Sequence, residues 1–369
     1  MGREQGENMD VSDIKFDNVK KIINTIRFGQ SLTKKEIAYQ TQLSFSTVSN
    51  VCNDLLEKGV LANQKSESLS VGRTPCQIIF CCHRFCSLCI DLKRKGLVGM
   101  AVLDFSNKVL FRSFYHVSFD TSLDQLVDRI YEIFLTVLEQ NRLERERFIG
   151  AGVAVSGIFD RCTGNVVNSS IPLFEGQPLS ALLGQRLGMR CYVDNEANLC
   201  AVAMAEGGEA EQTILYVHSD EGLGLGAVVN GQLLRGKNGY GGEVAHIPLG
   251  NPGQVCPQCG RRGCIEYDLI RDSMQPSGVE EDLFYQDRGR KLGRLLALLT
   301  NLFDPHTIYL GGAALDHYSK MERYVQEELN AVSPYHMERG LPVVHDQDSN
   351  ATIYRGINQV VYERWNPLE

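Results

Sequence analysis

The sequence lacks a hydrophobic run long enough to cross a membrane: nowhere in its 369 residues do about eighteen apolar residues follow one another. It also lacks the apolar core of a secretory signal peptide, because the stretch "MGREQGENMDVSDIKFDNVKK" is polar and acidic. We therefore expect no membrane partner and a cytoplasmic location. Disulfides are rare in that compartment, so the 12 cysteines are expected to be buried filler, metal ligands or catalysts.

Charge is distributed unevenly along the chain, although the total is −8. The stretch from Val19 to Pro75 contains eight Lys/Arg against four Asp/Glu, a balance of about +4. The remainder from Cys76 onward has a balance of about −9. A small basic module joined to a larger acidic body is typical of a nucleic-acid reader coupled to a second function.

The basic stretch predicts three short helices. Apolar residues recur at helical spacing from Val19 to Ile26. Thr33 is a suitable N-cap for a second helix that runs to about Thr41, since Glu36 completes a capping box. After a tight turn, Ser44 caps a third helix that ends near Gly59.

The third helix has one apolar stripe and one polar face. The predicted buried stripe is Val48, Val51, Leu55 and Leu56. The residues expected to contact DNA are Ser44, Ser46, Thr47, Ser49, Asn50 and Asn53. This pattern predicts a helix-turn-helix.

The segment "VLANQKSESLSVGRTP" follows the third helix and predicts two extended runs around a polar turn, as in a wing. Arg73 near its end is placed to contact a phosphate or the minor groove. A three-helix interaction module with a solvated face is the alternative. We favour double-stranded DNA as the partner because turn length, polar face and charge sign agree.

The acidic body alternates strands and helices. "CSLCIDL", "VGMAVLDF" and "KVLFRSFYHVSF" predict consecutive strands, and a second strand set begins at "TILYVHS". This repeated plan predicts an α/β protein with two lobes around a cleft, preceded by the mostly α winged helix-turn-helix. We place a flexible N-terminus at residues 1–16, the winged helix-turn-helix at 17–76, the first lobe at 84–195 and the second lobe at 196–369.

Two neighbouring elements, "NGYGGEVAHIPLG" and "CPQCGRRGCIE", resemble the signature of the ROK family of repressors and sugar kinases. Further matches are "DNEAN", "GLGLGAVVNGQLLRG" and "DPHTIYLGG". The resemblance implies a two-lobed, actin-like sugar-kinase (ribonuclease H-like) fold. The N-terminal helix-turn-helix is similar to that of the family's regulators, such as xylose- and N-acetylglucosamine-type repressors.

The same region contains a predicted metal site. Thiolates and imidazole are preferred ligands of tetrahedral zinc, and His246, Cys256, Cys259 and Cys264 supply four. With four protein ligands the zinc is expected to be structural rather than catalytic. The cysteines between Cys81 and Cys89 are interpreted instead as small buried hydrophobes at the start of a strand.

The resemblance also implies which residues line the sugar side of the cleft. They are Asn195, Glu196, Glu243, His246 and Glu266. For Asn195 a helix N-cap is the simpler role, and it is compatible with sugar binding.

Three departures from the family pattern argue against kinase activity. Glu196 replaces the family's catalytic aspartate, and its extra methylene displaces the carboxylate by about an ångström, which can lower a rate ~100-fold. The first phosphate loop reads "DLKRK" from Asp91 to Lys95, without the family's glycine and threonine. Leu223 replaces a hydroxyl residue in the later loop.

We therefore expect a sugar-responsive transcriptional regulator, of the repressor type, that binds operator DNA and a monosaccharide as a homodimer or tetramer. One alternative is a ROK sugar kinase that carries a DNA-binding module. The other is a regulator controlled by a partner protein.

Overall fold

The computed structural model describes residues 11–28, 30–65, 76–160, 165–208, 211–270, 280–332 and 340–368. The helices are α1 (Val11–Ile26), α2 (Lys34–Thr41), α3 (Phe45–Glu57), α4 (Leu123–Asn141), α5 (Leu179–Leu187), α6 (Glu196–Ala205), α7 (Glu266–Leu269), α8 (Glu280–Phe303), α9 (Tyr318–Val332) and α10 (Ser349–Arg364). The strands are β1 (Leu61–Lys65), β2 (Cys76–Phe80), β3 (Cys86–Arg94), β4 (Leu97–Asp104), β5 (Val109–His116), β6 (Phe148–Val155), β7 (Gly157–Phe159), β8 (Val166–Ser169), β9 (Cys191–Asn195), β10 (Ile214–Ser219), β11 (Leu223–Val229), β12 (Gln232–Leu233), β13 (Thr307–Gly311) and β14 (Val343–His345). None of the helices in these ranges is long and apolar enough to span a bilayer.

The N-terminal head consists of α1, α2, α3 and the antiparallel pair β1–β2. Thr33 caps α2 in a full capping box with Glu36, and the Ser44 hydroxyl caps α3 by accepting from the Thr47 amide. Gln42 ends α2 in the left-handed conformation, which produces the tight turn. This arrangement is compatible with a winged helix, as the sequence predicts.

Two boundaries in the head differ from prediction. The helix α1 begins at Val11, inside the segment expected to be flexible, because no glycine or proline interrupts the chain before Ile26. The strand that pairs with β1 is β2, which extends to Phe80, beyond the predicted end of the head at residue 76, and its alternate residues Ile78 and Phe80 pack into the head. The second extended run predicted for the wing falls on residues 66–75, outside the described residues. Arg73, predicted to contact DNA, lies outside the described residues.

The body contains two five-stranded sheets with the same topology. One has the order β5-β4-β3-β6-β9 and the other β12-β11-β10-β13-β14. In each, three antiparallel strands are followed by two parallel ones. This duplicated α/β arrangement is the predicted sugar-kinase-like fold.

Two helices, α6 and α10, pack between the sheets. A Cβ added at Gly226 of β11 would lie 2.1 Å from the carbonyl oxygen of Ala197 in α6. One added at Gly356 of α10 would lie 2.0 Å from the carbonyl oxygen of Leu199. Backbone therefore contacts backbone on both sides of α6, and any larger residue at these glycines would force the layers apart.

Aromatic residues join the head to the body. Tyr362 of α10 and Phe105, which follows β4, are buried in the same core cluster as the head helices. Their rings meet edge to face at 5.2 Å, and Trp365 packs 5.4 Å from Phe105. The head is thus packed against both the first sheet and the last helix.

Candidate functional site

The four predicted metal ligands lie together. Cys256 Sγ is 3.8 Å from His246 Nδ1, and Cys259 Sγ is 3.5 Å from Cys264 Sγ. All four ligand atoms lie within 4.8 Å of one another. Within the described ranges this is the one group of three or more metal-binding side chains so gathered.

Backbone hydrogen bonds hold the thiols in this position. The Cys256 amide donates to the Arg261 carbonyl at 2.7 Å, and the Gly260 amide donates to the Cys256 carbonyl at 2.9 Å. Gly260 and Gly263 adopt φ of +69° and +78°, which disfavours other residues. The loop therefore forms a tight hairpin whose side chains converge on His246.

The cluster fits a tetrahedral zinc ion. With Zn–S bonds of about 2.3 Å, the edges between ligand atoms of such a site are about 3.8 Å, close to the two separations above. Cys82, Cys86 and Cys89 are buried, as expected for small hydrophobic residues at the start of a strand. His246, Cys256, Cys259 and Cys264 are therefore the residues that would hold a metal.

The cluster adjoins a cleft of about 690 Å³ between the lobes. Its lining includes every predicted sugar-side residue: Asn195, Glu196, Glu243, His246 and Glu266. Glu243 precedes His246 in one segment, and Glu266 follows Cys264 in the other. The Glu266 amide donates to the Ala245 carbonyl at 3.1 Å, so the metal loop and the cleft wall form one unit.

Three carboxyl groups of the cleft, those of Glu196, Glu243 and Glu266, have a raised pKa. Burial raises the pKa of Glu196 to about 8, and one of its oxygens has no hydrogen-bond partner. Desolvation inside the cleft, and then the Glu266 charge, raise the pKa of Glu243. Burial likewise raises the pKa of Glu266, whose Oε1 accepts from the Leu223 amide at 3.3 Å. A carboxyl group in this state is able to donate as well as accept a hydrogen bond.

Asn195 is the N-cap of α6, the simpler role considered for it. Its side-chain oxygen accepts from the Ala197 amide at 2.8 Å, and its nitrogen donates to the Gly157 carbonyl at 3.0 Å. It therefore joins the first residues of α6 to the strand β7 across the cleft wall. This capping role leaves it among the cleft lining residues.

Several lining residues were missed from the sequence. Arg235 and Asp194 form a two-point ion pair in which Nη1 lies 2.9 Å from Oδ1. Asn168, Ser170 and Gln258 add amide and hydroxyl groups. Nothing local in the sequence marks the Arg235–Asp194 pair, because its members lie on separate elements.

Ion pairs fill the region of the predicted phosphate loops. Lys93 Nζ lies 3.2 Å from Asp91 Oδ2, and both side chains are buried. Arg94 Nη2 donates to both carboxylate oxygens of Asp220 at 2.7 Å. Since Arg94 ends β3 and Asp220 follows β10, this pair joins the two lobes.

The head presents most of the predicted DNA-contact residues to solvent. Ser44, Ser46, Asn50 and Asn53 are exposed, and Thr47 and Ser49 are half-buried. Asn53 accepts from Lys34 Nζ at 2.7 Å, which places a cation beside this face. Two exposed aromatic residues were missed: Tyr39 is 87% exposed, and Phe45, the first residue of α3, is 54% exposed.

Comparisons with known proteins agree with this organisation. A family model described as the ROK family matches residues 88–277, just over half of the chain. The xylose repressor of Bacillus spizizenii is 24% identical over 351 residues, which cover 88% of this chain and 90% of that protein. The DNA-binding transcriptional dual regulator NagC of Escherichia coli K12 is 23% identical over 379 residues, covering 94% and 92%.

Two solved structures share the fold. A ROK family transcriptional regulator, described as a homolog of the E. coli MLC protein, has a TM-score of 0.79 at 18% identity and covers 95% of this chain and 96% of its own. A ROK hexokinase from Thermus thermophilus has a TM-score of 0.60 at 21% identity and covers 74% and 97%. The kinase is therefore matched almost completely by about three quarters of this chain.

The metal cluster generates the first prediction. Protein purified without chelators is expected to contain about one zinc per chain by elemental analysis. Cys264→Ser is expected to lose the metal, because three ligands hold zinc less tightly than four, whereas Cys76→Ser, at an exposed cysteine outside the cluster, retains it. Metal-free wild-type protein would contradict the assignment.

Glu196 generates the second prediction. Its pKa is 4.5 as a free group and about 8 in the fold, so the native state keeps a proton that the unfolded state releases between these values. This group's contribution to stability is therefore full below about pH 4.5 and is lost as pH rises through 8. When the pH is raised from 5 to 8.5, we expect the Tm of wild type to fall further than the Tm of Glu196→Gln. The difference between the two decreases in Tm is expected to be on the order of 3 °C.

The matched control is Glu175→Gln, which removes an exposed carboxyl group of the same cleft. Its Tm is expected to follow the wild-type pH dependence. Identical pH profiles for wild type and Glu196→Gln would show that Glu196 is ionised in the native protein at neutral pH.

Proposed function

The chain belongs to the ROK family, and we propose that it is a sugar-responsive transcriptional regulator of the repressor type. It binds double-stranded operator DNA through the N-terminal head and a monosaccharide in the cleft between the lobes. The observation that carries this proposal is a helix-turn-helix attached to a kinase-like body whose cleft keeps its polar sugar side. The repressor relatives, matched over 88% or more of this chain, support it.

The recognition surface is the polar face of α3. Val48, Val51 and Leu55 bury the opposite face in the head, so the exposed side chains Ser46 and Asn50 are free to enter the major groove. The exposed Phe45 ring is suited to contact a thymine methyl group. A two-fold symmetric operator requires a symmetric assembly, which we propose is a homodimer or tetramer.

The effector is an unphosphorylated sugar. The carboxyl groups that line the cleft are Glu175, Asp194, Glu196, Glu243 and Glu266. The cleft cation Arg235 is already paired with Asp194, and His246 belongs to the metal cluster. Carboxyl and amide groups recognise neutral hydroxyls, whereas a phosphate would find no uncompensated positive charge among the described lining residues.

The metal is proposed to be a structural Zn²⁺. Zinc with four protein ligands has no open position for catalysis. Its role is to fix the segment containing Glu243 against the segment containing Glu266, both of which face the cleft. A zinc ion bound here would therefore stabilise the shape of the sugar site and would take no part in a reaction.

The alternative function, a sugar kinase, is disfavoured by charge. A transferred phosphoryl group needs free cations and close backbone approach. Here Lys93 is paired with Asp91, and Arg94 is paired with Asp220. The raised pKa of Glu196 keeps its carboxyl group protonated below about pH 8, so that it is suited to donate a hydrogen bond to a sugar hydroxyl. The sequence similarity to repressors supports the same choice.

Operator recognition is tested with Asn50→Ala in the full chain. The DNA probe is the tightest duplex selected from a random library by wild-type protein. We expect the preference for this duplex over random DNA to fall about 10-fold, because Asn50 is placed to bind a base edge and one such contact discriminates by ~1–3 kcal/mol. Asn141→Ala, an exposed asparagine on α4, is the control. If wild-type protein selects no sequence, the regulator proposal fails.

Sugar sensing is tested by thermal shift with D-xylose, N-acetyl-D-glucosamine, D-glucose and their phosphates, with and without ATP. We expect an unphosphorylated sugar to raise the Tm and ATP to add little.

Glu243→Ala is expected to abolish the effect of that sugar on operator binding without changing sugar-free DNA affinity. Sugar-dependent ADP release at about one per second would instead establish a kinase, and no response to any sugar would favour control by a partner protein.

A further inference from the structure

A buried ion pair connects the head to the helix that begins in the cleft. Arg27, directly after α1, places Nη2 3.1 Å from Oε1 of Glu206, directly after α6. Their side chains are 1% and 4% exposed. Because an unpaired buried charge is strongly unfavourable, each of these residues constrains the position of the other.

Arg27 contacts three separate elements of the body. Its Nε donates to the Phe105 carbonyl at 3.2 Å, and its Nη1 donates to Gln359 Oε1 at 2.5 Å. Its guanidinium lies 3.7 Å from the centre of the Tyr362 ring. These contacts come from the first sheet and from α10, whereas Glu206 is the contact that comes from α6.

Glu206 is also connected to its own surroundings. Its Oε2 accepts from Asn107 Nδ2 at 2.8 Å and lies 4.0 Å from Arg355 Nη2. Glu206 Oε1 lies 3.1 Å from Arg27 Nη2, but the two groups are not aligned as a hydrogen bond. The Arg27–Glu206 attraction is therefore mainly between charges, and in a buried setting it changes steeply with their separation.

The helix α6 joins this pair to the sugar cleft. Its N-cap Asn195 and first residue Glu196 line the cleft, and its ten residues place Glu206 about 15 Å away. At Gly226 and Gly356 the backbones of β11 and α10 pack directly against the backbone of α6, and such close-packed elements tend to move together. A displacement at its cleft end is therefore carried to its other end.

The position of α6 in the chain makes it sensitive to lobe movement. It follows β9, the last strand of the first sheet, and precedes β10, the first strand of the second. We propose that Arg27 and Glu206 are the positioning residues through which sugar binding in the cleft changes the orientation of the DNA-binding head. This proposal rests on the proposed function, because it requires both a sugar effect and operator binding.

The test uses the full chain, the selected duplex and the unphosphorylated sugar of the thermal-shift panel that gives the largest shift. In wild type the sugar is expected to change operator affinity on the order of 10-fold, within the usual range of allosteric coupling. Glu206→Gln and Arg27→Met, which remove charge but keep length, are each expected to reduce this change to about 2-fold or less. Sugar binding itself, followed by the thermal shift, is expected to stay unchanged.

The double variant separates coupling from general damage. Arg27→Met with Glu206→Gln is expected to have the same residual sugar effect as either single variant, because both act through one contact. Asp54→Asn, which removes the exposed pair between Lys15 and Asp54 inside the head, is the control and is expected to keep the full sugar effect. If Glu206→Gln does not fold, Glu206→Asp replaces it, with the same expected loss of the sugar effect.

The outcomes distinguish this proposal from the function on which it rests. A wild-type sugar effect that persists at about 10-fold in the single variants would overturn the role of the pair and leave the regulator intact. Additive losses in the double variant would overturn it as well. Absence of any sugar effect in wild type would instead overturn the proposed function.

Discussion

Backbone-to-backbone packing of α6 between the two sheets is the constraint on which the rest of the structure depends. The contacts at Gly226 and Gly356 bring β11 and α10 within van der Waals reach of the α6 main chain. Because protein interiors are close-packed, such layers have few intermediate arrangements and tend to move as units. The first residues of α6 line the cleft, its body lies between the two sheets, and Glu206 at its end contacts the head through Arg27.

Charge determines what the body is able to do. Lys93 is paired with Asp91 inside β3, and Arg94 is paired with Asp220 across the two lobes. The second pair stabilises one arrangement of the lobes, and under the proposed function both pairs disfavour phosphoryl transfer, which requires free positive charge. What remains in the cleft is a set of acids, amides and hydroxyls, a chemistry suited to neutral polyols.

Features encoded by neighbouring residues were predicted from the sequence. The caps Thr33 and Ser44, and the metal hairpin from Cys256 to Cys264, depend on contacts within a few residues, and the structure has them. The repeated strand order followed from hydrophobic pattern and family resemblance. The end of the head was predicted too early, at residue 76, because the burial of Ile78 and Phe80 in β2 depends on the head core rather than on local turn signals.

Long-range contacts were beyond prediction for a physical reason. The pairs Arg235–Asp194, Arg94–Asp220 and Arg27–Glu206 join elements far apart in the chain, and each partner alone resembles an ordinary surface charge. The burial of Glu196, which raises its pKa, depends likewise on the packing of both lobes. The spacing of residues along the sequence does not indicate which distant charged residues come into contact in the fold.

The shared core of the head and α10 has a consequence for how the protein is made. Tyr362, near the end of the chain, is packed into the same cluster as Val19, Ile22 and Ile23 near its beginning. During synthesis the head leaves the ribosome well before α10, yet α10 supplies this part of the head's packing. The proposed DNA-reading surface therefore reaches its final packing only after both sheets of the body and α10 have been made.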